Sequence, residues 1–521
     1  MFQNLLMKRM LVSVVLLSSF LHFSVSAQTA NALPRSTPEA EGVSATAIST
    51  FLDSVAASKH EFHSFMLLRH GKVVAEGWWN PYSRDLRHSL YSLSKSFTAT
   101  AVGFARAEGK LSLDDKVVSF FPNELPDSAN ANLQQLTVKD LLTMSVGQEP
   151  DPTGTVVQDS NWVKRFFTVL IKYQPGSRFL YNSTATYMLS AIVQKVTGEK
   201  VIDYLQPRLF DPLGITKPDW EESPQHTNTG GWGLRLKTED IAKFAQLFLQ
   251  KGKWNGKQVL PQGWVEEAST AHIIQHPEYS QAKRDSSDWE QGYGYQMWRC
   301  RNNAYRGDGA FGQYAIVLPE QDAVIAITSE TADMQGELNL IWKILLPTMQ
   351  KEKLAANEGA DAMLKKKLAA LSLPVKKEVM SASLTKTASF VMEPNTQNIR
   401  SLSFNCKNNS CEVIVKADNG IYPVRFAANN WQQGETGLKG PYLVSGAQNS
   451  LTGLPAFKYA AEYTSIDANT LELVVRYIES PHTQTMLCRF DGDNITVDVK
   501  RSFNTNAPGA VVTLKGKAEE K

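Results

Sequence analysis

Two apolar runs, Phe65-Met66-Leu67-Leu68 and Val73-Val74-Ala75, flank the polar stretch Arg69-His70-Gly71-Lys72. Runs of that length across a short polar turn containing glycine predict a β-hairpin over 64–79. After a polar loop, Phe97, Ala101, Phe104 and Ala105 recur at the spacings of one helical face, and Gly109 follows as a stop. A buried helix is therefore expected to begin near Ser92. Further helices are predicted over 138–144, 162–171, 185–196 and 201–210, broken by Pro175-Gly176, Thr197-Gly198 and Asp211-Pro212-Leu213-Gly214. Another runs over 238–252, with Thr238 as a good cap and Glu239 and Asp240 in its first turn. Strands are expected at 293–298, 314–318 and 323–328, then a helical segment over 338–371. Strands at both ends of a helical middle predict an α/β arrangement, a sheet built from distant segments with a cleft beside it.

From about 379 the texture changes to short alternating runs separated by Asn, Gly and Asp, for example at 411–415, 422–426, 471–477 and 495–499. This predicts a separate all-β domain, a sandwich or a small barrel, over 376–521. The Lys-rich stretch 365–377 is the expected linker, with a solvated helix face as its plainer reading. Trp431 and several tyrosines could form a carbohydrate platform, but aromatic core packing is the more frequent use of such residues.

Composition adds bounds rather than chemistry. With 521 residues the chain has room for two domains, and its 42% hydrophobic and 20% charged content is that of an ordinary globular protein. A formal net charge of +2 offers no electrostatic case for nucleic acid or an anionic membrane. No zinc-ligand spacing and no phosphate loop occur, so no metal or organic cofactor is implied. Lys8 and Arg9 precede an apolar run over 10–23, and Val25-Ser26-Ala27-Gln28 follows. That is the layout of a secretory signal peptide over 1–27 cleaved after Ala27, with an uncleaved anchor as the alternative. The expected compartment is therefore the periplasm or the exterior, with no stable membrane insertion after cleavage. The four cysteines suit it, and Cys406 and Cys411 bracket an expected hairpin tip where a local bridge would fit.

Candidate chemistry begins at Tyr91-Ser92-Leu93-Ser94-Lys95. Serine and lysine three residues apart share one helical face, where an amine can activate a hydroxyl. Alone, so short a pattern is usually a capped helix start beside a solvated lysine. A second proton carrier is offered by Tyr181, within Phe179-Leu180-Tyr181-Asn182-Ser183. A nearby ammonium would lower the tyrosine's pKa, so either partner could take the serine proton. A third segment, Arg306-Gly307-Asp308-Gly309-Ala310, places glycines at a strand edge where backbone can approach a ligand.

In this order the segments resemble the class C β-lactamase and penicillin-binding-protein family, which also holds D-alanyl-D-alanine carboxypeptidases, esterases and 6-aminohexanoate-dimer hydrolases. The likeness covers roughly 64–346 and extends through Glu108-Gly109-Lys110-Leu111-Ser112-Leu113-Asp114-Asp115 and Leu136-Thr137-Val138-Lys139-Asp140-Leu141-Leu142. It continues in Pro175-Gly176-Ser177-Arg178-Phe179-Leu180-Tyr181 and Gly230-Gly231-Trp232-Gly233-Leu234. The resemblance implies an α/β (α+β) β-lactamase/transpeptidase-like fold over 28–375, an antiparallel sheet with a helical lobe. It implies Ser92 as acyl-forming nucleophile, Lys95 as its activator and Tyr181 as general base and acid. The backbone N–H groups of Ser92 and Ala310 would form the oxyanion hole. Asn182, Ser183, Trp232, Asp308 and Gly309 would line the substrate site.

Two departures stand out. Ser183 occupies the family's Asn position, with Asn182 beside it as a substitute. Gly307 stands where many members carry the cation that helps hold a substrate carboxylate, and Asp308 adds a like charge. Small-molecule or short-peptide esters and amides, neutral or cationic, are therefore expected ahead of β-lactams, with cell-wall association as a further expectation. The alternatives are a non-hydrolytic sensor of the same fold and a true β-lactamase.

Overall fold

An unbroken apolar run suits a strand only when both of its faces are covered, because successive side chains point to opposite sides. The computed structural model describes residues 32–127, 130–376, 386–407, 409–444, 446–449, 451–503 and 510–519, and the hairpin meets that condition in it. The predicted signal peptide, 1–27, and Lys377 of the expected linker lie outside the described residues.

Helix α1, Ala45–Ala56, leads into β1, Glu61–Arg69, and β2, Lys72–Trp78. On β1, Met66 and Leu68 enter the core beneath the helical lobe, while Phe65 and Leu67 enter a second core on the other face. The helical lobe contains α2 (Ser94–Ala107), α3 (Val138–Leu142), α4 (Trp162–Thr168), α5 (Ser183–Thr197) and α6 (Thr238–Leu249). The chain then returns to the sheet through β3 (Trp298–Arg299), β4 (Tyr305–Gly309), β5 (Gln313–Leu318) and β6 (Ala323–Glu330). The order is β2-β1-β6-β5-β4-β3, antiparallel throughout, so the sheet joins the two ends of the lobe. The register Phe65↔Ile327 and Ile316↔Ile325 keeps the apolar positions of three strands on common faces.

Two expected elements differ. Residues 293–297 form a tight turn rather than a strand, with the bridges Ile273↔Tyr293 and Tyr293↔Trp298, and the strand itself begins only at Trp298. Gln296 sits there at φ 57°, and its amide nitrogen donates to the carbonyls of Leu141 and Leu142 at 3.1 and 2.8 Å, fastening the turn to the end of α3. The single helix expected over 338–371 is divided. Helix α7, Met334–Leu340, passes into a wide turn and a short 3-10 turn carrying Pro347, which has no N–H to continue a helix. Helix α8, Glu358–Ala369, starts anew at Asn357, whose side chain caps the Ala360 N–H at 3.0 Å.

The last domain is a closed barrel. Its strands are β7 (Lys386–Met392), β8 (Ile399–Lys407), β9 (Ser410–Ala417), β10 (Gly420–Ala428), β11 (Gln432–Thr436), β12 (Phe457–Asp467), β13 (Thr470–Tyr477), β14 (Thr483–Asp491), β15 (Asn494–Arg501) and β16 (Val511–Ala518). They run β10-β9-β8-β7-β16-β15-β14-β13-β12-β11, and a parallel contact of β10 with β12 closes the ring. Alternate residues such as Phe404, Val413, Phe426, Leu473 and Val497 fill the interior. Cys406 is bonded to Cys411. Trp431 packs into the core of the α/β lobe with the Arg476 guanidinium 5.4 Å from its ring, so it is core and not a platform for sugar.

Candidate active site

Ser92 lies in the 3-10 turn Tyr91–Leu93, and Lys95 lies in the first turn of α2 that follows. Lys95 is buried, whereas Ser92, Tyr181 and Ser183 keep partial exposure. The base therefore stands behind the nucleophile, and the nucleophile faces solvent. The Lys95 Nζ is 3.1 Å from Ser92 Oγ, 3.1 Å from Ser183 Oγ and 2.6 Å from the Gly231 carbonyl oxygen. Burial lowers the lysine's pKa to about 7, and the more distant carboxylates of Asp151 and Asp308 oppose the shift without cancelling it. A neutral amine has two protons and one lone pair. Donating to Ser183 and Gly231 leaves the lone pair for the Ser92 hydroxyl proton.

Tyr181 enters from the loop before α5, with its ring centroid 5.0 Å from Lys95 Nζ and its hydroxyl engaged with Ser92. The expected lowering of its pKa is reversed. Burial pushes the phenol up, and the Ser92 hydrogen bond opposes this only in part. The two shifts divide the roles: lysine can be the neutral acceptor, while tyrosine keeps its proton. The ring is stacked on Trp298 at 5.8 Å and 18°, a contact with no short-range signal in the sequence.

The expectations for Asn182 and Ser183 separate. Asn182 is buried as the N-cap of α5, accepting from the Ala185 N–H at 3.0 Å and from the Thr184 hydroxyl at 2.7 Å. Its amide nitrogen donates to Gln148 at 2.8 Å. The side chain is consumed inside the fold, and the substrate contact expected of it is not made available. Ser183 instead supplies the polar contact to Lys95 from the family's Asn position.

Trp232 is likewise corrected as a substrate contact. It is buried against Trp162, and its indole N–H donates to the Tyr442 hydroxyl of the barrel at 3.1 Å. What this segment brings to the site is the neighbouring Gly231 carbonyl.

Strand β4 forms the far edge. A Cβ at Gly309 would meet the Leu90 carbonyl oxygen at 2.0 Å, and one at Gly307 would meet Leu93 Cδ1 at 2.5 Å and Ser96 Oγ at 2.6 Å. Only bare backbone fits so close to the turn that carries Ser92, and Phe311, which follows Ala310, meets the Tyr91 ring at 5.6 Å. Asp308 and Arg306 share the opposite face. Arg306 is fully buried and holds Asp308 with Nε–Oδ2 at 2.9 Å and Nη2–Oδ2 at 2.8 Å. Burial raises the Asp308 carboxyl, and the guanidinium opposes it. The pair is neutral overall, so this edge offers neither a free cation nor a free carboxylate.

The fold and the comparisons with known proteins together define a serine hydrolase. The sequence profile of the beta-lactamase family matches residues 56–346, more than half of the chain, and the protein belongs to that family of serine hydrolases acting on amide or ester bonds. A 6-aminohexanoate-dimer hydrolase of Paenarthrobacter ureafaciens is 27% identical over 293 residues, covering 52% of this chain and 73% of its own. A D-aminopeptidase of Brucella anthropi is 26% identical over 166 residues, 29% of this chain and 31% of that protein. Among solved structures, an octameric penicillin-binding protein homologue from Pyrococcus abyssi overlaps 90% of this chain and 99% of its own at 16% identity and TM-score 0.46.

Proposed function

We propose that the protein is an exported hydrolase that cleaves small neutral or cationic esters or amides through an acyl-enzyme on Ser92. The observation that carries this is the buried Lys95 amine, 3.1 Å from Ser92 Oγ, with both its protons engaged elsewhere. Lys95 takes the hydroxyl proton as Ser92 Oγ attacks the carbonyl carbon. The Ser92 and Ala310 N–H groups receive the oxyanion, the largest single source of rate in such chemistry. Collapse expels the leaving group, which takes a proton from Tyr181, and the tyrosine recovers it from the Lys95 ammonium. Water then repeats the sequence on the acyl carbon.

The neutral Arg306–Asp308 pair and the lack of space for a side chain at Gly307 support substrates without a carboxylate beside the reacting bond. A relative named for hydrolysing a 6-aminohexanoate dimer favours a linear amide over a lactam. Ser183, which together with the missing cation at Gly307 motivates the sensor alternative, reaches Lys95 at 3.1 Å, and that alternative keeps only the missing cation in its support.

A fluorophosphonate probe followed by peptide mapping tests the proposal. Labelling should fall on Ser92 and vanish in Ser92→Ala; labelling elsewhere, or equal labelling of the variant, rejects it. A panel of p-nitrophenyl esters, amino-acid amides and nitrocefin, blanked with Ser92→Ala, ranks the substrates. Nitrocefin turnover equal to the best ester would restore the β-lactamase alternative. Export predicts a mature N-terminus at Gln28, read by N-terminal sequencing of the processed protein.

A further inference from the structure

Both residues adjoining the expected oxyanion donors have left-handed backbone. Tyr91, directly before Ser92, has φ 46°, and Phe311, directly after Ala310, has φ 69°. Bulky side chains take such conformations at a cost and keep them only where the surroundings hold them. The two rings meet edge to face with centroids 5.6 Å apart, so the two donor segments are tied to each other behind the reacting atoms.

What holds the pair comes from the other domain. His482 lies in the turn between β13 and β14 of the barrel, 391 residues from Tyr91 in sequence, with its side chain wholly buried. Its Nε2 is hydrogen-bonded to the Tyr91 hydroxyl. Its ring stands edge-on to Phe311 at 4.8 Å and 87°. Phe503 packs on the His482 ring at 4.0 Å and on Phe311 at 4.9 Å, closing the cluster. On the far side, His482 Nδ1 is 2.7 Å from Glu330 Oε1 at the end of β6, and the Ser502 hydroxyl donates to the same oxygen at 2.7 Å.

Burial raises the Glu330 carboxyl to about 7, and while it is ionised the chain of donors has one consistent assignment. A carboxylate can only accept, so Nδ1 carries the proton toward Glu330, and Nε2 is left as the acceptor for the Tyr91 hydroxyl. Both ring nitrogens of a neutral imidazole are thereby used, and neither faces the reacting atoms. His482 touches the residue before Ser92 and the residue after Ala310, yet neither Ser92 nor Lys95.

We propose that His482, oriented by Glu330, is a positioning residue supplied by the barrel, which sets the separation and aim of the Ser92 and Ala310 N–H groups through Tyr91 and Phe311. The α/β lobe alone then holds the nucleophile and base but not a fixed oxyanion hole. This rests on the acyl-enzyme reading above.

The test uses the full-length protein with a p-nitrophenyl ester and the variants Tyr91→Phe, His482→Phe, His482→Gln and the double variant Tyr91→Phe/His482→Phe. Transition-state donors held out of line lower kcat rather than substrate affinity. Each Phe variant should lose about tenfold or more in kcat with KM within about twofold, since loss of one such donor costs roughly a hundredfold or more. The double variant should be no worse than the poorer single one, because both break the same link. His482→Gln presents an amide oxygen near the Nε2 position and should recover part of kcat relative to His482→Phe. Tyr91→Phe removes one oxygen and keeps the ring, so it reports on the link even if the His482 variants do not fold. Folded variants with full kcat, a loss confined to KM, or independent losses that multiply in the double variant would overturn the proposal. A wild-type enzyme without turnover or labelling at Ser92 fails the acyl-enzyme reading and this inference with it; an active wild type with unaffected variants fails this inference alone.

Discussion

At the scale of single residues, the site turns on which group holds a proton. With Lys95 lowered to about 7 by burial, its lone pair is unavailable well below that pH and free well above it. The ester kcat should therefore rise with pH through about 7 and then level off. Tyr181, pushed up by burial, should cause no alkaline fall up to pH 9 or so. A rate that falls between pH 6 and 8 would assign the proton the other way. Asn182 and Ser183 give a second test, because adjacent residues here do separate work. Asn182→Ala removes a helix cap and should cost about 1–2 kcal/mol in chemical denaturation, leaving KM within about twofold. Ser183→Ala removes a Lys95 partner and should lower kcat about tenfold or more with little change in stability. Equal kinetic effects from the two would contradict the division.

At the scale of elements, strand β4 decides what the site can recognise. Its glycines let the strand lie against the turn bearing Ser92, and its alternate residues, Arg306 and Asp308, neutralise each other on the other face. Restoring a cation by Gly307→Lys should therefore not create a β-lactamase. The new Cβ would press on Leu93 and Ser96, and overpacking of this kind typically costs about 1–3 kcal/mol. The expected result is a lower denaturation midpoint and no gain in nitrocefin turnover; a gain at undiminished stability would show that the strand can move. Arg306→Met should be worse, since it leaves a buried carboxylate without its partner, a loss on the order of 3–5 kcal/mol.

At the scale of the whole molecule, the barrel is fastened to the α/β lobe by buried polar contacts. Glu479, whose side chain is 1% exposed, is paired with Arg235 at 3.4 Å and with Arg87 at 3.3 Å. Arg476 of β13 reaches Glu61 of β1 at 2.6 Å, and Tyr442 and Asn449 engage Glu221. Glu221 is fully enclosed, and burial raises its carboxyl to about 7 despite those hydrogen bonds. Separating the domains would break the pairs of Glu479 with Arg235 and Arg87 and of Arg476 with Glu61, leaving Arg235 and Arg87 to Asp219 of the same lobe alone. Calorimetry should accordingly show one unfolding transition for both domains; two resolved transitions would show that they are independent. Chain cut after residue 376 should fail to yield an active α/β lobe.

The local pattern alone determined a good deal. The hairpin, the helix starting at the Ser92 turn, the alternation of the last domain and the Ser92–Lys95 pairing all depend on spacings within a few residues, and such spacings are read directly from the chain. The turn near Gln296 and the division of 338–371 were not legible, because the first is fastened by a Gln296 hydrogen bond to the end of α3 and the second by packing on α1, and neither leaves a local period. Tertiary structure alone decided the direction of the Lys95 and Tyr181 shifts, since burial is a property of everything packed around a group and here outweighs the mutual effect of the pair. It also decided that Asn182 turns inward while Ser183 meets the lysine, that Trp232 is covered by Tyr442, and that His482 stands behind Tyr91. Those facts join residues up to 391 positions apart, and no local pattern carries the distance between them.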